Sequence, residues 1–260
     1  MNNDQKESLV NLGFSSAHVD SILSGIKVEG GLTIVSGTTH SGKSTTLMAL
    51  RQTVVDDKRA IENSGSSYDP DMFFLHEMRD SDSVEAYAET ARIGQSMFAE
   101  MHASSALSAI SRLRLFERGM TVQAPELKVS LSIHQALLPR PCNECSIGFD
   151  QFNAIAQKHE YFNELKSVIL ARFTESEIHN LVFRNHSGCE KCSSGCDGYT
   201  VVAEVVAPSQ EVLDLIKSAK IDEAFSIIKS EGGRTILDHA LEKALMGHVD
   251  LCDVATQLGI

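Results

Sequence analysis

Two glycines, a lysine and a serine stand at a spacing that can enclose a chain of phosphates. The stretch VSGTTHSGKSTTL, residues 35–47, matches the pattern G-x-x-x-x-G-K-[ST] at each defined position. Glycines let backbone N–H groups turn towards phosphates, the lysine reaches the terminal phosphates, and the serine hydroxyl binds Mg²⁺. The predicted nucleotide-binding residues are Gly37, Thr38, Thr39, His40, Ser41, Gly42, Lys43, Ser44 and Thr45, with Ser44 as the magnesium ligand. The alternative is a Gly-Ser turn that caps a helix and leaves Lys43 exposed on its first turn.

An acid and a histidine follow two other short apolar runs. In DPDMFFLHEMRD, four apolar residues lead into His76 and Glu77, and His102 follows SMFAEM. A carboxylate at the end of a strand beside a phosphate loop can hold the water shell of a metal ion or orient an attacking water molecule. We therefore predict Glu77 as the catalytic carboxylate and His102 as a group that contacts the γ-phosphate. The alternative is an exposed strand-end carboxylate and an ordinary edge histidine.

Four cysteines form two C-x-x-C pairs separated by 43 residues, 146 to 188. Each pair can form a short turn that presents two thiolates, and two such pairs are typical of a tetrahedral Zn²⁺ site with a structural role. The predicted ligands are Cys142, Cys145, Cys189 and Cys192. Cys196 competes as a fourth ligand, and Cys252 is expected to be a small buried residue. Reduced surface thiols or a redox pair are the alternative.

The elements around these residues alternate between strands and helices. GGLTIVSG reads as a strand and SGKSTTLMALRQTVV as the helix after it, and the runs 72–78 and 96–101 each precede a helical segment. Such alternation predicts a parallel sheet with helices on both faces. Two short helices are expected before residue 25, and the pattern after Pro208 is helical.

Composition excludes several classes of protein. The formal net charge is −12 over 260 residues, which disfavours a sequence-independent nucleic-acid binder. The sequence has neither a long apolar run that could span a membrane nor a secretory signal, so we expect a cytoplasmic protein. Because the cytoplasm keeps thiols reduced, the six cysteines indicate metal binding or catalysis before disulfides.

The order and wording of these motifs resemble the secretion-type ATPases of type II secretion, type IV pilus assembly and some conjugative pili. The resemblance runs from residue 12 to the terminal helices and includes AEMHASSALSAISRLR and the second cysteine pair. It implies an α/β fold, a RecA-like P-loop NTPase core with a small tetracysteine zinc-binding insert and a C-terminal helical region. The implied divisions are 1–138 for the core, 139–205 for the metal-binding subdomain and 206–260 for the helical subdomain. It also implies that Glu77 is the Walker B glutamate and that His102 belongs to the His box.

The same resemblance implies partners and cofactors. These are ATP, Mg²⁺ and Zn²⁺, a homo-hexameric ring, and an inner-membrane platform protein through which the chain is peripheral to the membrane. The leading hypothesis is an ATP-hydrolysing motor subunit. The alternatives are a truncated, non-hydrolysing subunit that fills or regulates a motor ring, and a nucleic-acid translocase, which the acidic charge disfavours.

Three departures from the family pattern bear on hydrolysis. The chain begins where the family's motor domain would begin, without the domain whose arginines complete the nucleotide site. Only 33 residues, 44 to 76, separate Lys43 from Glu77, and Asp56, Asp57 and Glu62 are weak substitutes for the family's Asp box. His76 stands where glycine is usual. Apart from these three, Tyr199 in the cysteine insert stands where arginine is usual, which bears on a ring contact. Because arginine contacts typically contribute about 10³ to 10⁵ in rate, turnover by this chain alone is expected to be slow. Arg112 and Arg114 are equally consistent with a subunit contact and a solvated helix face.

Overall fold

The computed structural model describes residues 3–55, 60–62, 72–75, 77–117, 128–157 and 160–260. In the first half of the chain the elements are α1 (Asn3–Leu12), α2 (Ser16–Gly25), β1 (Leu32–Ser36), α3 (Lys43–Val55), β2 (Ala60–Glu62), β3 (Met72–Leu75), α4 (Ser81–Arg92), β4 (Ser96–Met101) and α5 (Ala106–Glu117). They continue with β5 (Val129–Pro141), β6 (Ile147–Gly148), α6 (Phe149–Ala156), α7 (Glu160–Arg172), α8 (Glu175–Ile178), β7 (Val182–Phe183), β8 (Cys196–Val206), α9 (Gln210–Lys217), α10 (Ile221–Ser230), α11 (Ile236–Leu245) and α12 (Leu251–Leu258).

The chain divides into two compact units. One unit contains residues 1–136 and 203–235, and the other contains 137–202 and 236–260, so two boundaries fall within β5 and β8 and the third lies just before α11. The three-part division at residues 138 and 205 stays a prediction.

The sheet has the strand order β2-β3-β4-β1-β5-β8. The pairs β2 with β3, β3 with β4, β4 with β1, and β1 with β5 are all parallel. Every residue of β1 and β4 is buried, as expected for central strands of a parallel sheet covered on both faces. The predicted parallel α/β fold is confirmed.

One face of the sheet in the first unit covers a large hydrophobic cluster. Alternate residues of β4 enter it together with side chains from α4, α5, α9 and α10, among them Tyr87, Ile110, Val212 and Ala224. The opposite face carries α3, which packs on β1 and β4. Helix α4 begins at the N-cap Asp80, whose carboxylate accepts hydrogen bonds from Ser83 N at 3.0 Å and Ser83 Oγ at 2.7 Å. The segment that carries Glu77 therefore ends at Asp80, where α4 begins.

The second unit contains the cysteine pairs, the antiparallel pair β6–β7, and helices α6, α7, α8, α11 and α12. Its aromatic centre is Phe152, which stacks on Phe183 with ring centroids 4.1 Å apart. Arg184 forms an ion pair with Asp253 at 2.6 Å, and its backbone N–H donates to Asp250 Oδ2 at 2.7 Å. Cys252 on α12 is buried, as the sequence predicts.

Candidate functional site

The sheet order brings the predicted phosphate loop, Glu77 and His102 to one edge. The loop follows β1, Glu77 follows β3, and His102 follows β4, which lies between the other two strands. Ligands of open α/β sheets bind at the carboxyl ends of the strands. The segment after β3 is fixed to β4 by Met78 N, which donates to Glu100 O at 2.8 Å.

The loop between β1 and α3 has the backbone conformation that its glycines permit. Gly37 has φ 153°, Gly42 has φ 82°, and His40 is a non-glycine residue at φ 63°. A Cβ at Gly37 would collide with the Gln135 carbonyl oxygen, so the close approach of the loop to β5 requires glycine there. Residues 38–40 are exposed at the tip of the loop, and Ser44 and Thr45 are exposed on the first turn of α3.

Lys43 is the first residue of α3 and is only 7% exposed. Its Nζ donates hydrogen bonds to Gly37 O at 3.2 Å and to Thr38 O at 2.8 Å. The ammonium group therefore lies inside the curve of the loop. The alternative in which Lys43 is an exposed residue of a capping turn is wrong.

Strand β5 supplies a support for the loop that the sequence analysis did not identify. Gln135 is 1% exposed; its Nε2 donates to Ser41 O at 2.7 Å, and its Oε1 accepts from Thr46 Oγ1 at 2.8 Å. One amide thus connects the last part of the loop and the first turn of α3 to the sheet. The signal in the sequence is the polar pair His134 and Gln135 inside the apolar run of β5.

His134 lies beside the same loop. Its Nδ1 is 3.2 Å from Ser36 Oγ, at the last position of β1. Burial, followed by the positive charge of Lys43, lowers the pKa of His134 to about 4. The imidazole is therefore neutral at neutral pH and adds no positive charge to the site.

Glu77 and His102 are brought together as the sequence analysis expected for a shared edge. His102 Nε2 is 3.6 Å from Glu77 Oε1, and Arg79 Nη2 is 2.6 Å from Glu77 Oε2. The Glu77 side chain is 28% exposed and that of Arg79 is 71% exposed. A carboxylate in this position can accept a hydrogen bond from a water molecule at the edge, and Arg79 is a nearby cation.

Arg112 supports this arrangement from α5. Its Nη1 donates to His102 O at 2.8 Å, and its guanidinium lies 5.5 Å from the centroid of the Phe116 ring. Neither reading of Arg112, as a subunit contact or as part of a solvated helix face, included these two contacts within the chain. Asp56 and Asp57 lie outside the described residues, and Glu62 is the last residue of β2, a short strand that the sequence analysis did not predict.

The four predicted zinc ligands form one cluster in the second unit. The sulfur atoms of Cys142, Cys145, Cys189 and Cys192 all lie within 4.8 Å of one another. The Sγ separations are 4.0 Å for Cys142–Cys189 and 3.5 Å for Cys145–Cys192 and Cys189–Cys192. A tetrahedral Zn²⁺ site with Zn–S bonds near 2.3 Å places its sulfur atoms about 3.8 Å apart. The cluster therefore fits a zinc ion.

The surroundings shift the pKa values of these thiols in opposite directions. Burial and hydrogen bonds with the other three sulfur atoms raise the pKa of Cys145 to about 12, whereas hydrogen bonds with the Lys191 backbone and the Cys192 sulfur lower the pKa of Cys189. Cys196 is not part of the cluster, since its Sγ donates to Gly198 O at 3.1 Å. The reading in which Cys196 replaces one of the four ligands is therefore not supported by the geometry.

The parallel sheet, with a glycine-rich loop between β1 and α3 at its carboxyl edge, defines the fold as a RecA-like P-loop NTPase core. The model of the family described as "Type II/IV secretion system protein" matches residues 1–64 and 67–256. The chain belongs to this family.

Curated relatives agree with that assignment. The type IV pilus assembly ATPase PilB of Thermus thermophilus is 25% identical over 94% of this chain and 29% of its own length. The putative type II secretion system protein E of Escherichia coli K12 is 23% identical over 94% of this chain and 53% of its own length. The chain thus spans about half or less of these relatives.

Solved structures show the same fold. The Legionella pneumophila ATPase DotB superposes with a TM-score of 0.59 and 13% identity, covering 95% of this chain and 64% of that chain. The pilus retraction motor PilT with bound ADP gives a TM-score of 0.57 and 17% identity, covering 95% and 66%. Among the described residues, no helix is long and apolar enough to cross a membrane.

Proposed function

We propose that this chain binds ATP with Mg²⁺ and hydrolyses it as the motor portion of a type II secretion or type IV pilus ATPase. The observation that supports this most directly is the meeting of the phosphate loop, Glu77 and His102 at the carboxyl ends of three adjacent strands. Family membership and relatives named as pilus and secretion ATPases agree with it.

Each residue at the edge has a role in this proposal. The loop amides from Gly37 to Thr45 bind the phosphates, and Lys43 exchanges its loop carbonyls for phosphate oxygens. The exposed hydroxyl of Ser44 on the first turn of α3 is placed to bind Mg²⁺, which supplies positive charge to the phosphate oxygens when bound. Glu77 accepts a hydrogen bond from the attacking water and orients it. His102, next to Glu77, donates to the γ-phosphate.

The cysteine cluster would hold a structural zinc ion. Four thiolate ligands leave no open coordination position, so the ion has no catalytic role and links two turns of the second unit. From the family resemblance we further propose a homo-hexameric ring, a cytoplasmic location and binding to an inner-membrane platform protein. The same proposal includes a motor for the assembly of conjugative pili.

The ion pair between Glu77 and Arg79 favours a second candidate. A guanidinium nitrogen 2.6 Å from Glu77 Oε2 occupies one of the two oxygens that could orient a water molecule, which suits a subunit that binds nucleotide without effective hydrolysis and regulates or fills a motor ring. This candidate makes the same prediction for binding and a different one for phosphate release.

Two measurements separate these functions. Calorimetry with ATP and Mg²⁺ should show binding by the wild type and by Lys6→Ala, an exposed control lysine on α1, but a large loss for Lys43→Ala. Phosphate release should fall strongly in Glu77→Gln and stay unchanged in Glu89→Gln, an exposed carboxylate on α4. ATP binding together with minimal phosphate release that is equal in the wild type and in both Glu variants would favour the non-hydrolysing subunit. No ATP binding by the wild type would refute both candidate functions.

A further inference from the structure

A buried carboxylate on β4 has an oxygen without a partner. Glu100 is the fifth residue of this strand and is 8% exposed. In the part of the chain that the structure describes, its Oε1 is enclosed and makes no hydrogen bond. Burying a charged group without a partner is costly, and such exceptions in native proteins point to an ion, a ligand or a catalytic role.

Glu100 lies on the face of the sheet that α3 covers. The hydrophobic cluster against the other face contains Met97, Ala99 and Met101. Phe98 lies on the α3 face, because it stacks on Phe74 at 4.7 Å and Arg51 of α3 lies 5.9 Å from the centroid of the Phe74 ring. Since side chains alternate along a strand, Glu100 shares the face of Phe98.

Along the strand, Glu100 is beside the end of β1 where the phosphate loop begins. It pairs with Val35, and the next residue, Met101, accepts a hydrogen bond from Gly37 N at 3.3 Å. Helix α3 starts at this same edge, after the loop, and packs on β1 and β4. Glu100 therefore lies on the α3 face of the sheet, close to the carboxyl edge at which α3 begins with Ser44 on its first turn.

Glu77 does not duplicate this carboxylate. Both of its oxygens face cationic or histidine partners, Arg79 at 2.6 Å and His102 at 3.6 Å, and it is partly exposed. Glu100 provides a second carboxylate at the same edge, buried and with an oxygen that is still available. Carboxylates suit Mg²⁺ as direct ligands or as acceptors for its bound water.

We propose that Glu100 is a positioning residue for the divalent cation of the bound nucleotide, holding the cation's water molecules from the α3 side of the sheet. This inference rests on the proposed function. It also accounts for a carboxylate that is costly to the fold, because the cation compensates the buried charge.

The test measures cation binding in addition to turnover. The 260-residue wild-type chain, Glu100→Gln and the exposed control Glu89→Gln are titrated with Mn²⁺ with protein in excess over ATP, so that the nucleotide is protein-bound, and free Mn²⁺ is followed by electron paramagnetic resonance. ATP binding is measured separately by calorimetry in EDTA. We expect the Mn²⁺ affinity of Glu100→Gln to fall about 10- to 100-fold, as for other groups that orient the ligands of a metal. ATP affinity without metal should be equal or higher, since a negative charge near the phosphates is removed, and Glu89→Gln should match the wild type throughout.

A structural role would give a different result. If Glu100 only supports the fold, Glu100→Gln lowers the unfolding temperature and leaves the Mn²⁺ affinity within twofold, which would overturn the inference. Glu100→Val, a β-branched substitution suited to a strand, provides a second variant if the glutamine variant folds poorly. ATP binding by the wild type together with unchanged Mn²⁺ affinity in both variants would refute the role of Glu100 alone, and no ATP binding by the wild type would refute the proposed function as well.

Discussion

Replacing Gln135 by leucine should destabilise the phosphate loop and α3. The substitution preserves volume but removes two buried hydrogen bonds, from Nε2 to Ser41 O at 2.7 Å and from Thr46 Oγ1 to Oε1 at 2.8 Å. Each buried group left without a partner costs about 1–3 kcal/mol. The exposed loop tip gives water a route to the Ser41 carbonyl, so we expect a total loss of about 2–4 kcal/mol in the free energy of opening of α3.

A double-mutant cycle isolates the contact between Gln135 and Thr46. Thr46→Val is nearly isosteric and leaves Gln135 Oε1 unpaired, at a cost of about 1–2 kcal/mol. In the double variant neither partner of this bond remains, so only the Ser41 carbonyl is unsatisfied. The loss in the double variant should therefore be smaller than the sum of the two single losses by about 2–4 kcal/mol.

Native-state hydrogen exchange of the α3 amides at increasing urea is the suitable assay, because it reports local opening in a chain of two compact units. Amides of α12, which belongs to the other unit, serve as the internal reference. Losses in the single variants that add within about 0.5 kcal/mol would show that the 2.8 Å contact contributes nothing, and the account of the loop support would be refuted.

Two further predictions concern the metal cluster and pH. Purified protein should contain one zinc ion per chain. Chelation or Cys189→Ser should remove hydrogen-exchange protection from the turns at 142–145 and 189–192, while β1 and β4 keep their protection and Cys196→Ser behaves as wild type. Metal-free protein with fully protected turns would contradict the zinc assignment. His134 should make the stability of the fold depend on pH, because its pKa is lowered to about 4 in the folded chain. The stabilisation is present above pH 6.5, the ordinary pKa of histidine, and about 3 kcal/mol of it is lost as the pH falls towards 4. The difference in unfolding free energy between wild type and His134→Gln should follow this pH dependence. A difference that does not change between pH 7 and pH 4 would show that His134 titrates normally.

The sequence predicted the elements that carry strong local signals. Strand β1, the loop and α3 follow from a glycine-bounded apolar run and a helix start, and β3 and β4 from short apolar runs before helices. The side chains at the carboxyl edge could be grouped because parallel strands end at a common edge. The contact between Glu77 and His102 needed only the strand order in addition.

What the sequence did not predict depends on long-range pairing. Strand β2 has three residues beside acidic and basic neighbours, so it has no hydrophobic period of its own and exists through its pairing with β3. Strand β5 continues to Pro141 although Pro139 and Pro141 disfavour a strand interior. The role of Gln135 could not be read locally either, because its partners lie 94 and 89 residues away in the sequence.

The distribution of satisfied and unsatisfied polar groups at the carboxyl edge supports the proposed ligand site. Beside β5, Gln135 is paired on both of its functional ends and Ser36 Oγ contacts His134, so that side is complete within the chain. In the described part of the chain, Ser41 Oγ and Glu100 Oε1 are both enclosed and without hydrogen-bond partners, one in the loop and one on β4. Because a fold gains nothing by leaving such groups unpaired, these are the two groups at the carboxyl edge with which the proposed phosphates and cation would complete the hydrogen bonding.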